Sequence, residues 1–113
     1  MHGIDEKVPP SGPGCADCER EGGWWLHLRR CALCGHVGCC DNSPKQHATK
    51  HFEATGHPIM QSFEPGEDWF WDYTKKQAIA GPLLARPDHH PVHQGVPGPK
   101  GRVPRNWQDL LNP

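Results

Sequence analysis

Residues 31–58 read CALCGHVGCCDNSPKQHATKHFEATGHP, and the spacing of thiols and imidazoles in this stretch decides the fold. It opens on a Cys31-x2-Cys34 knuckle and continues to the adjacent thiols Cys39 and Cys40. His47, His51 and His57 follow directly behind them. Upstream, Cys15-x2-Cys18 forms a second knuckle. An even number of cysteines could mean a disulfide framework in a secreted chain. Such a framework gives no reason for three histidines behind the thiols. Thiolate and imidazole donors in short-spaced pairs suit tetrahedral zinc instead.

Composition says why a metal is needed. The chain has 113 residues, 35% of them hydrophobic, with 13 Gly and 13 Pro. A chain this small and polar buries too little apolar surface for a large core, so another staple must hold it. All 6 cysteines lie between Cys15 and Cys40, where they supply that staple. The net charge of -1 provides no bulk attraction to nucleic acid or anionic lipid. No apolar run approaches the ~20 residues that cross a bilayer, so no membrane partner is expected. Met1 to Gly14 lacks the apolar core of a secretory signal, and a cytoplasmic location is expected.

Three regions follow from the residue distribution. Residues 1–14 carry Pro9, Pro10 and Pro13 and read as a flexible lead-in. Residues 15–78 hold the candidate metal ligands and most of the aromatic residues, and form the folded domain. Residues 79–113 are rich in Pro and Gly and read as a mostly disordered tail. Within that tail, His89, His90 and His93 read as a solvated stretch, and Trp107, Leu110 and Leu111 as an unstructured segment.

Inside the domain, WWLHLRR (residues 24–30) alternates and predicts a strand. Ser43-Pro44 has the form of a helix N-cap followed by Pro at the first helical position. The helix would run through Ala48, His51 and Phe52 and stop at Gly56. PIMQSFE (58–64) and DWFWDYT (68–74) predict two more strands around a turn at Glu64–Glu67. On the last strand Trp69, Trp71 and Tyr73 share one face. The expected architecture is α+β: a short antiparallel sheet, one main helix and metal knuckles at one end.

Two tetrahedral sites need eight donors. The knuckles give Cys15, Cys18, Cys31 and Cys34; Cys39, His47, His51 and His57 complete the set. His27 falls in a strand and His36 in a tight loop, and both read as non-ligands. Spacing does not fully separate Cys39 from Cys40, and it leaves the pairing open. His47 and His51 stand at i and i+4, which by itself suggests one shared metal.

Cys15-x2-Cys18, the run Cys31-ALC-GHV-G-Cys39 and the run His47-ATK-His51-FEATG-His57-Pro58 together resemble a UBP-type zinc finger. That module binds ubiquitin in some deubiquitinases and in a cytoplasmic deacetylase. The resemblance covers residues 15 to about 75 and is similar to small stand-alone prokaryotic versions. It implies two interleaved zinc sites: Cys15, Cys18, Cys39 and His47 at one, and Cys31, Cys34, His51 and His57 at the other. Some members carry a third zinc; this chain has no cysteine outside residues 15–40 to ligate it, so two are expected.

The family binds the free Gly-Gly tail of ubiquitin in a pocket, with the help of an Arg in a Cys-Gly-Arg run. Here the run is Cys39-Cys40-Asp41, and the charge at that position is reversed. Where the family favours a Trp before the second knuckle, this chain has Arg29, with Trp24 and Trp25 further back. The expected binding face therefore comprises Trp25, Arg29, Asp41, Trp69, Trp71 and Tyr73. Its expected ligand is a protein or peptide tail other than that of ubiquitin, with the ubiquitin tail as the alternative. A nucleic-acid module ranks third, because Arg29, Arg30, Lys45, Lys50, Lys75 and Lys76 are interspersed with acidic residues. Sites with four protein ligands leave no open metal position, so zinc is expected to be structural and the chain to be no enzyme. A monomer is expected.

Overall fold

The computed structural model describes residues 3–111. The chain runs α1 (Ala16–Glu21), β1 (Leu28–Cys31), β2 (Val37–Cys39), α2 (His47–Thr55), β3 (Ile59–Ser62), β4 (Phe70–Asp72) and β5 (Gln77–Ile79). A 3-10 turn at Trp107–Leu110 follows near the end. The five strands form one antiparallel sheet in the order β2-β1-β3-β4-β5. The α+β architecture expected from sequence is the one observed.

The alternating run 24–30 becomes a strand only from Leu28. Before that point the backbone has other partners: the Leu26 N–H donates to Ser43 Oγ at 2.9 Å, and Trp25 pairs with Gly98 through N–H···O bonds of 2.8 and 2.9 Å. This also moves the start of the main helix. Ser43 is engaged by Leu26, so it does not cap; α2 begins at His47, whose N–H donates to Cys39 Sγ at 3.2 Å. The helix ends as expected at Gly56, which takes a left-handed φ of 76° and donates its N–H to Phe52 O.

Register assigns the two faces of the sheet. Arg29 lies opposite Gly38 on one side and Ser62 on the other, and the next rung on that face is Cys31, Met60, Trp71 and Ala78. Helix α2 packs over this face against β1 and β2. It comes so close that a Cβ on Gly38 would meet Ala48 N at 2.7 Å. The opposite face carries Arg30, Gln61, Phe70 and Ile79.

Both chain ends cover that second face. Leu84 packs with Ala32, Ile59 and Phe70 in one of two small apolar clusters; the other joins Trp25, Leu28, Val37 and Phe63 to the cysteines of the first knuckle. Arg30 is fully buried, and its guanidinium donates to the carbonyls of Val8, Ala85 (2.7 Å) and Pro87 (3.3 Å). Burial pulls its pKa down from the usual arginine value, and nearby Asp88 acts against this. Past Ile79 the described chain has no further strand beyond the isolated Trp25–Gly98 bridge, and one 3-10 turn. Its described part lies along the core: His90 is buried, its N–H donates to Phe63 O at 2.8 Å, and Arg102 Nε donates to Gly23 O at 2.8 Å. His90 is thus a buried residue, where its sequence neighbours suggested a solvated one. Among the described residues no helix is long and apolar enough to cross a membrane.

Candidate functional site

Four polypeptide segments converge on the first cluster. Cys15 is the N-cap of α1, Cys18 lies one turn into it, Cys39 ends β2, and His47 opens α2. All four are buried, and their donor atoms lie within 4.8 Å of one another. His47 Nδ1 stands 3.2 Å from Cys15 Sγ, 3.2 Å from Cys18 Sγ and 3.5 Å from Cys39 Sγ; Cys18 and Cys39 Sγ are 3.9 Å apart. A tetrahedral zinc with Zn–S near 2.3 Å has S···S edges of about 3.8 Å, so this arrangement fits the ion. On the far side of the ring His47 Nε2 is 2.8 Å from Glu21 Oε2, a contact at ion-pair distance that is not aligned as a hydrogen bond.

The second cluster joins Cys31, Cys34, His51 and His57, again within 4.8 Å. Cys31 Sγ lies 3.5 Å from His57 Nδ1, and Cys34 Sγ 3.4 Å from His51 Nε2. His36 stacks on His51 with ring centroids 4.5 Å apart and planes 5° apart, and its Nε2 is 2.8 Å from Asp17 Oδ2. His47 and His51 therefore belong to different clusters although they share one helix face. The first is reached through Nδ1 at the helix start and the second through Nε2 one turn later. Cys39 joins a cluster and Cys40 does not: the Cys40 thiol is buried beside Ser43 Oγ at 3.5 Å.

Burial and the crowding of the thiols perturb the donors of both clusters. Cys15 and Cys18 donate toward Cys39, and together with the His47 N–H they hold the Cys39 thiol down at about 2 against the effect of burial. Hydrogen bonding to Cys15 and to Cys39, with burial added, pushes the Cys18 thiol up. Burial pushes Cys31 up to about 11. Burial, with the charges of His36 and His57, lowers His51 to about 4, which keeps the ring neutral and able to donate a lone pair.

Beside these clusters, on the α2 face of the sheet, lies an open groove of about 270 Å³. Arg29, Asp41, Met60, Trp69, Trp71 and Tyr73 line it. The Arg29 guanidinium carbon sits 4.7 Å above the Trp69 ring centroid, a cation–π arrangement. Among the described residues no carboxylate is within ion-pair distance of Arg29. Asp41 is tied to α2: Thr49 Oγ1 donates to Asp41 Oδ1 at 2.5 Å, and Gln46 Nε2 donates to its carbonyl at 3.0 Å. Tyr73 stacks on Phe52 at 4.7 Å. Its phenol is raised by burial, and it feels Thr49 and Arg29 pulling down and Asp41 pushing up.

The structure thus brings five of the six expected binding-face residues into one groove. Trp25 is the exception. It is 2% exposed and packs in the core with Cys15, Leu28 and Phe63. The reason is the late start of β1, which frees Trp25 from the alternation that would have placed it on the face of Arg29. Sequence reasoning missed Asp17, Glu21 and His36 as supports of the clusters. The usable signal was the i, i+4 spacing of Asp17 and Glu21 around Cys18.

Comparison with known proteins gives this geometry a family. The family model described as "Zn-finger in ubiquitin-hydrolases and other protein" matches residues 15–84. The chain belongs to this family. Ubiquitin carboxyl-terminal hydrolase 13 of Bos taurus is 29% identical over 94 residues, which are 80% of this chain and 10% of that protein. Ubiquitin carboxyl-terminal hydrolase 5 of Homo sapiens is 27% identical over 94 residues, 80% of this chain and 11% of that one. The finger thus spans about a tenth of the length of these curated relatives. The solution NMR structure of protein RPA1320 from Rhodopseudomonas palustris is 43% identical, with a TM-score of 0.62. That match covers 81% of this chain and 86% of RPA1320.

Proposed function

We propose that this zinc finger is a non-catalytic module that captures a peptide tail in the groove of Arg29, Asp41, Trp69, Trp71 and Tyr73. Two structural zinc ions would hold the fold, one on Cys15, Cys18, Cys39 and His47, the other on Cys31, Cys34, His51 and His57. Each set supplies four protein donors, which leaves no coordination position for water or substrate. The metal's part is to fix the loops that carry the groove; the peptide contacts fall to the chain's own residues.

The observation that carries the reading is Arg29. Its guanidinium is pre-placed on the Trp69 ring and lacks a carboxylate partner among the described residues. A planar fork of donors in that setting suits a terminal carboxylate or peptide carbonyls. Trp69, Trp71 and Tyr73 offer the aromatic surface that extended peptides pack against. A cytoplasmic setting belongs with this reading, because a reducing compartment keeps the thiols available to metal. So does action as a monomer.

The ubiquitin tail is the second reading, favoured by the similarity to ubiquitin hydrolases. Titration of the zinc-loaded protein with ubiquitin, followed by two-dimensional NMR, separates the two. Shifts at Arg29, Asp41 and Trp69 that vanish when the last two glycines of ubiquitin are removed would establish the second reading. No shift with ubiquitin, but the same shifts with other peptides bearing free C-termini, would establish the first. Silence toward every free C-terminus would overturn both.

A further inference from the structure

We propose that a second pocket, built where both ends of the chain cross the core, binds a small aromatic carboxylate, its ring against Trp25 and Trp107 and its anionic group toward Lys100. The site has no lining residue in common with the groove of Arg29 and Trp69 and is independent of the peptide-tail reading.

The pocket has a volume of about 820 Å³, within the usual range of small-molecule sites. Hydrogen bonds tie its walls together. Trp25 pairs with Gly98 through backbone bonds of 2.8 and 2.9 Å, Gln94 Nε2 donates to Pro13 O at 2.8 Å, and Arg102 Nε donates to Gly23 O at 2.8 Å. The lead-in and the tail are thereby pinned around the opening before any ligand arrives, which lowers the ordering cost of binding.

Trp25 supplies the first sign of a ligand. It is 2% exposed, and a buried indole N–H ordinarily finds an acceptor. Among the described residues Trp25 Nε1 donates to none. The side-chain polar atoms sealed without a partner are Arg30 Nε, Gln61 Oε1 and His90 Nε2, so the indole nitrogen keeps contact with open space. The open space that Trp25 borders is this pocket. Trp107, half-buried on the 3-10 turn, adds a second aromatic wall, and Pro13, Pro97 and Val103 add apolar surface. Charge decides the rest. Glu19 lines the pocket, but Arg102 engages its carboxylate at 3.2 Å. Lys100 is exposed and has no carboxylate within ion-pair distance among the described residues. The free charge is therefore positive. A flat ring with an anionic group answers both the indoles and the ammonium, whereas a cationic ligand meets Lys100.

The test titrates the full zinc-loaded chain with naphthoate and, in parallel, with the neutral naphthamide, and follows the indole N–H signals by two-dimensional NMR. Naphthoate is expected to move the signals of Trp25 and Trp107 and to leave those of Trp69 and Trp71 in place, with roughly fivefold or greater preference over naphthamide at low salt. Lys100→Gln should erase that preference yet keep ring binding, and Trp107→Leu should weaken both probes by roughly threefold or more. Trp107→Phe, which keeps an aromatic wall, should retain most of the affinity. Unchanged zinc content and NMR dispersion would show that these variants fold. Equal binding of the two probes would overturn the proposal. So would shifts confined to Arg29, Trp69 and Trp71, which would put aromatic acids in the groove instead, or silence at Trp25 and Trp107 up to the solubility limit of naphthoate.

Discussion

His47 shows at the residue scale how a metal ligand is prepared. One ring nitrogen faces three sulfurs and the other lies 2.8 Å from Glu21 Oε2. Carboxylate partners of this kind fix ring orientation and raise donor strength, and removing one typically costs about 10–100-fold in metal affinity. Glu21→Ala should lower zinc affinity by that order, measured by chelator competition, while Glu21→Gln should fall between it and the unaltered chain. Asp17→Ala acts one step further out, through the stack of His36 on His51, and should weaken the second site by less. The two adjacent thiols make a sharper pair. Cys39→Ser should leave one tightly held zinc by native mass spectrometry, and Cys40→Ser should leave two, because only Cys39 lies among the candidate donors.

At the scale of elements, the tightest constraint is the approach of α2 to β2 over Gly38. A Cβ there would press on the Ala48 backbone at 2.7 Å, and backbone cannot swing aside. Gly38→Ala should therefore destabilise by about 1–3 kcal/mol, the usual cost of overpacking, in denaturant unfolding at fixed free zinc. The elements also show what a reader of the sequence can and cannot see. The donors and the alternating aromatics Trp69, Trp71 and Tyr73 in and beside β4 were legible because chemistry or strict alternation marks each residue. The grouping of donors into two sets came from family resemblance, as i, i+4 spacing alone favoured a shared ion. Helix α1 was not legible: its six residues bury only Cys18, too little to leave a periodic pattern. Strands β2 and β5, three residues each, are too short to show alternation. The Ser43-Pro44 signal was real chemistry spent elsewhere, as Ser43 accepts from Leu26 across the fold.

At the scale of the whole molecule, the described residues form two small apolar clusters in place of one large core. A structural zinc contributes on the order of 10 kcal/mol, comparable with the entire stability of a small domain. Chelation should accordingly abolish the dispersed amide spectrum, and restored zinc should recover it. The second pillar is polar. Glu64 is buried, accepts from Leu28 N–H at 2.9 Å and from His27 Nδ1 at 3.0 Å, and lies 3.1 Å from His90 Nε2 in a contact not aligned as a hydrogen bond. Burial alone would raise its carboxyl; His27, Leu28 and His90 outweigh this and hold it below the usual 4.5. A carboxylate with a depressed folded value stabilises above its unfolded range and loses that contribution as pH falls through the folded value. Glu64→Gln at neutral pH should mimic the acid end of that range and raise amide exchange at His90, with little change at Cys39. Arg30→Met should have the same reach on the other flank, because it strips three carbonyls of their donor.

The layer of chain over the second sheet face bears on portability. The span matched by the family model, residues 15–84, stops short of Ala85, Pro87 and His90 and omits Val8. A finger trimmed to those limits keeps every candidate donor but leaves the Arg30 guanidinium and the Glu64 carboxylate with fewer partners. For this member, grafting or truncation at the family boundaries would yield a metal-loaded module with one bare side, prone to self-association, and useful cuts lie outside the clamp that Arg30 makes.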